Sequence, residues 1–428
     1  MNIKKFDKKN LLVGIFFIIM LILSLLAKIC SNYYYSLIMI SFWVFMINFM
    51  MKKNINKRVT IYIYIYILLN IFMILLVTSQ ARDLGFSTGV LHGNVKGVLY
   101  NDANNYYNNV LNNYNINIFE YLKNFFLNIR SDNYMYNLYI LYNLMISKIF
   151  GVNIEILLIA KLAFCVVSLN LLAKICNILN VKRMFLVVFL YSIYPGFLSI
   201  NINFIRDIMI VTVILFIMYS YLKLIKFKGN KKKNIFFIIL GMFILSLLRL
   251  YTSVTLGICL FIFMKSKNIK SLIFKFILSI ICLLVINKLS IIFGYGFLGM
   301  QYINSYVNGL GYFNALIQTV LRILVGYSIV IEALKSGVWS NVFTMISPIY
   351  IFIVNLLVIA LIALKSIRLN FLNRKILLFY IMFAFLNGLI LLLRDGIIVE
   401  RIYTMWIWLP IIVLADFKNN IIRNYKVN

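Results

Sequence analysis

Asp102 stands in the run Tyr100-Asn101-Asp102-Ala103-Asn104-Asn105-Tyr106-Tyr107, a compact polar and aromatic cluster in an otherwise apolar chain. A carboxylate in such a cluster has the chemistry of a general base: within hydrogen-bond reach it takes the proton of an attacking hydroxyl. The same residue type also opens helices, because an Asp side chain accepts from the free N–H groups of a first turn. Both readings are open on the residues alone. The neighbouring acids Asp83, Glu120 and Asp132 lack comparable surroundings. Tyr106 and Tyr107 flank the carboxylate at helical spacing and are read as supporting residues.

Cations follow downstream. Arg206 and Asp207 close Asn203-Phe204-Ile205-Arg206-Asp207, Arg249 stands in Leu247-Leu248-Arg249-Leu250-Tyr251, and Arg394-Asp395 precedes Glu400-Arg401-Ile402-Tyr403. A planar guanidinium matches the oxygens of a phosphate, so Arg206, Arg249 and Arg401 are candidate phosphate ligands, with Asp207, Arg394 and Glu400 supporting. Each arginine singly is also explained as an anchor reaching for the membrane surface. Metal chemistry has little to build on: His92 is the single histidine, without a Cys or His partner nearby. A divalent cation is the one cofactor the expected chemistry leaves room for. Cys30, Cys165, Cys176, Cys259 and Cys282 lie inside or at the ends of apolar segments, without CxxC spacing, and read as packing residues. Neither a phosphate-binding glycine loop nor a serine-hydrolase elbow is present in a usable context.

The elements that hold these residues are set by composition. Apolar residues make up 64% of the 428, charged ones 12%, and the mean hydropathy is +0.97. No single soluble core absorbs that much apolar surface. The chain therefore reads as an all-α, polytopic transmembrane bundle. Apolar runs of spanning length fall at 11–28, 34–51, 59–78, 155–176, 184–201, 207–225, 234–250, 252–264, 270–287, 343–364, 376–393 and 399–415, about twelve spans in one membrane domain. Within it the parts are three N-terminal spans (1–78), an outer loop (79–154), spans four to nine (155–287), a second outer loop (288–342), and the last three spans with a tail (343–428). The basic start followed by an apolar run looks like a signal peptide, but lacks a small-residue cleavage site and reads as a retained span.

Charge gives the orientation. The segments 1–10, 52–58, 174–183, 223–233, 265–275, 365–375 and 416–428 hold 28 of the 42 basic residues and only Asp7 and Asp416 of the 11 acids. Basic connections stay on the cytoplasmic side. Both termini are thus expected inside a cytoplasmic membrane, with the Asp102 loop on the outer face. The net charge of +31 is then mostly a topology signal, and nucleic acid is not an expected partner. Tyr134 to Phe150, aromatic and ending at Gly151, reads as a helix lying in the interface. Polar residues at mid-span, the mark of a transporter or flippase, are few: Lys161 and scattered asparagines.

In this order the residues resemble a known family. The pattern is an outer-loop Asp-Ala-x-x-Tyr-Tyr (Asp102, Ala103, Tyr106, Tyr107), an aromatic helix closing in Ile149-Phe150-Gly151, Leu-Ala-Lys at 172–174, Leu190-Tyr191-Ser192-Ile193-Tyr194-Pro195, a charged pair opening the next helix, and a late Arg401-x-Tyr403. It is similar to the GT-C superfamily of membrane glycosyltransferases, in the branch with protein O-mannosyltransferases and lipid A aminoarabinose transferases. The resemblance covers about residues 80–225 and the chain's end. It implies a polyprenyl-phosphate sugar donor, a glycan, lipid or protein acceptor on the outer face, inversion at the sugar, and Asp102 as the acid of the first loop. Where the family often has Glu or an acidic pair, this chain has Arg206-Asp207. Asn203-Phe204-Ile205-Arg206 also resembles the Asn-x-x-Arg of polymerases that join lipid-linked repeat units of surface polysaccharides.

Overall fold

The computed structural model describes residues 33–84, 102–127, 137–226, 231–265, 339–363, 371–395 and 400–415, with a few single helical positions from 271 to 281 and at 314. Among the described residues every regular element is helical and none is a strand. The expected span 11–28, most of the expected span 270–287 and of the expected outer stretch 288–342, and His92 lie outside the described residues.

The helices are α1 (Tyr33–Met51), α2 (Lys57–Leu84), α3 (Asp102–Asn112), α4 (Ile118–Leu127), α5 (Leu138–Phe150), α6 (Ile154–Leu179), α7 (Met184–Ser192), α8 (Pro195–Ile202), α9 (Asp207–Lys226), α10 (Lys231–Leu248), α11 (Leu250–Lys265), α12 (Trp339–Ala363) and α13 (Phe371–Asp395). Among the described residues four helices are long and apolar enough to cross a bilayer: α1, α2 as far as Arg82, α6 and α9. The pair α7 and α8 adds a fifth if counted as one bent span. Contacts divide the chain into two compact units, Met1–Lys174 with Ile200–Thr212 and Val338–Ser340, and Ile175–Ser199 with Val213–Gly337 and Asn341–Asn428.

In the first unit α1 and α2 form a hairpin whose apolar side chains are largely uncovered, with 22% and 33% of their spanning windows buried against 89% for α6. A soluble protein does not leave such faces to water; lipid is the solvent that suits them. Side-chain amides join the hairpin to α6: Asn170 donates to Asn48 Oδ1 at 2.9 Å. Farther along, Ser168 and Thr212 share a hydrogen bond of 2.8 Å. Such polar pairs hold apolar helices together at about 0.6 kcal/mol each.

The short helices α4 and α5 have local causes. Asn137 caps α5 by accepting from the Ile140 N–H at 2.9 Å, and Gly151 ends it at φ 93°, its N–H bonding Ser147 O at 2.8 Å. Only glycine adopts that backbone without strain. Tyr121 on α4 receives the Asn137 N–H at 3.1 Å, which fixes α4 against the start of α5.

The expected single span 184–201 is instead two helices bent by 57°. Pro195 has no N–H to continue α7 and steers Tyr194 away from helical backbone, so it opens α8 as a first-turn residue. Gly196 follows because a Cβ there would lie 2.6 Å from the Tyr194 ring. Ser347 on α12 donates to Tyr194 Oη at 2.8 Å, and Tyr191 Oη donates to Thr404 O at 2.9 Å. That second bond ties α7 to the 3-10 helix Glu400–Met405, which opens the expected last span 399–415 before the chain turns α-helical at 408–415.

Candidate functional site

Asp102 lies in the first turn of α3. The helix is amphipathic: Ala103, Tyr106 and Val110 are buried, while Asn104, Asn105 and Asn109 are half-buried and Asn108 is exposed. Residues four apart share a helical face, so Asp102 and Tyr106 stand about one turn, or about 6 Å, apart along the axis.

Tyr106 is the hub. Its ring meets Tyr139 of α5 edge-on, with centroids 5.5 Å apart. Tyr139 in turn lies 5.2 Å from Phe204, and Phe204 packs edge-on against Tyr107 at 5.7 Å. Phe204 and Arg206 belong to one short turn between α8 and α9, and the Arg206 guanidinium carbon sits 5.7 Å from the Tyr106 centroid. A cation in that position is attracted by the negative face of the ring. Two tyrosines of α3 therefore hold both side chains of the turn, and the turn brings Arg206 to the helix that Asp102 opens.

The rim is ionic. Tyr107 Oη donates to Val152 O at 3.1 Å, and burial together with the nearby Glu155 carboxylate pushes its phenol up, which keeps it a donor. Glu155, buried in the first turn of α6, is ion-paired with the partly exposed Arg82 from the end of α2. Asp207, buried, occupies the first turn of α9, where a carboxylate complements the helix dipole.

Of the residues singled out in the sequence, Asp102, Tyr106, Tyr107, Arg206 and Asp207 all lie in the first unit. Arg249, Arg394, Glu400 and Arg401 belong to the second. Arg249 is buried at the corner between α10 and α11, its guanidinium 5.6 Å from the Tyr251 ring. Arg394 lies in the last turn of α13 and Glu400-Arg401 start the 3-10 helix; their side chains lie outside the described residues. Glu155 and Arg82 were not legible as partners, because 73 residues separate them. An acid at the mouth of an apolar run was the available signal. Lys161, noted in the sequence only as a polar mid-span residue, is buried and donates to Ile200 O at 2.7 Å and to Asn203 O.

Among the described residues no three His, Cys, Asp or Glu side chains gather closely enough to hold a metal ion. Compared with known proteins, the chain matches no family model, no curated protein and no solved structure.

Proposed function

We propose that this chain is a membrane glycosyltransferase of the GT-C type, with about twelve spans and both termini cytoplasmic. It moves a sugar from a polyprenyl-phosphate donor to an acceptor on the outer face. Asp102 is the base and Arg206 a partner of the donor phosphate. The observation supporting this reading is the Arg206–Tyr106 contact, which puts a cation beside the helix opened by Asp102.

The chemistry runs as one displacement. Asp102 takes the proton of the acceptor hydroxyl while that oxygen attacks the anomeric carbon. The bond from carbon to phosphate oxygen breaks on the opposite face, and the phosphate leaves with the electron pair. Arg206 offsets the charge that accumulates on it. Attack and departure on opposite faces invert the sugar. Arg249 and Arg401 are further candidate phosphate ligands, each tested by its own substitution to Gln in the same assay.

The test uses the purified chain in lipid nanodiscs with polyprenyl-phosphate sugars, release of polyprenyl phosphate being followed by mass spectrometry. Transfer that requires Asp102 is expected, together with accumulation of the donor lipid in cells lacking the protein. No transfer and no accumulating lipid-linked sugar would overturn the reading. A polymerase of lipid-linked repeat units is the second reading, supported by Asn203 and Arg206 sharing one turn. Cells lacking a polymerase lose the whole polymer, whereas cells lacking a single-sugar transferase keep a polymer without one decoration.

A further inference from the structure

Lys161 is the only buried lysine among the described residues. It lies seven residues into α6, about 10 Å along the helix from its outer end. A buried ammonium in a membrane is costly unless polar groups surround it. Here they are main-chain carbonyls: Nζ donates to Ile200 O at 2.7 Å and to Asn203 O. Ile200 lies in the last turn of α8, where carbonyls have no helical partner and the dipole end is negative. Asn203 O also accepts the Ile205 N–H at 2.9 Å, so the lysine grips the tight turn at its base. The Asp207 carboxylate, just past that turn, is a charged neighbour of the ammonium.

The other side of this turn faces α3. Phe204 touches Tyr107 and Tyr139, and Arg206 lies over Tyr106. One lysine, from a third helix, thus fixes the backbone from which the arginine of the candidate site projects. We infer that Lys161 is the positioning residue of Arg206: it sets the arginine's place at Tyr106 for a phosphate-bearing lipid without touching the lipid itself. The inference rests on reading Arg206 as a phosphate partner.

The probe is undecaprenyl monophosphate, titrated by native mass spectrometry against the full chain in nanodiscs. The proteins are wild type, Arg206→Gln, Lys161→Met, the double variant and Lys161→Arg. Removing a charge-assisted contact weakens binding about 10- to 100-fold, and this is the loss expected of Arg206→Gln. Lys161→Met should lose about tenfold or more. The double variant should bind within about threefold of Arg206→Gln alone, because residues acting through one contact are not additive. Lys161→Arg, which keeps a donor for the carbonyls, should recover most of the affinity.

Binding by Lys161→Met within about twofold of wild type, or losses that multiply in the double variant, would overturn the inference and leave the Arg206 reading standing. If Arg206→Gln itself binds normally, that reading falls and the positioning role falls with it. If Lys161→Met does not accumulate, Lys161→Gln, which still offers an amide donor, takes its place in the same cycle. Failure of both to accumulate also overturns it, since the lysine then serves folding as a whole.

Discussion

The guanidinium of Arg206 lies over the ring of Tyr106, 5.7 Å from its centroid, although one hundred positions separate the two in sequence. The contact joins the turn between α8 and α9 to α3, the helix that begins at Asp102. Most of what the proposed activity needs in the first unit hangs on it.

Replacing Tyr106 separates the ring from the hydroxyl. Tyr106→Phe keeps the aromatic face and should bind a polyprenyl phosphate like wild type. Tyr106→Leu removes the face, a loss of about 0.5–2 kcal/mol for a cation over a ring, or about 2- to 30-fold in affinity. Equal binding by the two variants would count against a role for the contact.

Asp102→Asn preserves shape and helix capping, since Asn caps about as well as Asp. Turnover in the nanodisc assay should fall about 10²- to 10⁴-fold while donor binding changes little. A variant transferring sugar within about threefold of wild type would leave the carboxylate only a structural role in the first turn of α3.

The Arg82–Glu155 pair is lopsided, its glutamate buried and its arginine partly exposed. Arg82→Ala strands a buried carboxylate and should cost about 1–3 kcal/mol. Glu155→Gln leaves only a solvated arginine and should cost less. The double variant should be more stable than Arg82→Ala alone. Thermal unfolding in detergent at fixed protein and lipid concentration reads the order, and equal losses in the two single variants would refute it.

Gly151→Ala forces a side chain onto backbone at φ 93°, at an expected cost of about 1–3 kcal/mol. The strain sits at the C-terminal end of α5, whereas Tyr139 lies at its start. Reduced thermal stability with unchanged binding by the residual folded protein is therefore expected; an unchanged melting point would contradict the assigned cap.

Composition and periodicity alone determine that this chain is helical and membrane-embedded, because 64% apolar residues leave no other solvent for its surface. Several element ends are also written locally: Gly151 closes α5, and Asp207 opens α9. Such signals act over one turn and survive reading in one dimension. The break at Ile193-Tyr194-Pro195 shows the limit, since an apolar window takes 184–201 as one rod, whereas proline's missing N–H bends it by 57°. What only the tertiary structure decided is which polar residues meet. Arg206 with Tyr106, Arg82 with Glu155, and Lys161 with the carbonyls of Ile200 and Asn203 are pairs brought together by packing. A buried charge must find a partner wherever the fold supplies one, and when that partner is a ring face or a main-chain oxygen, the identity of its residue carries little advance signal.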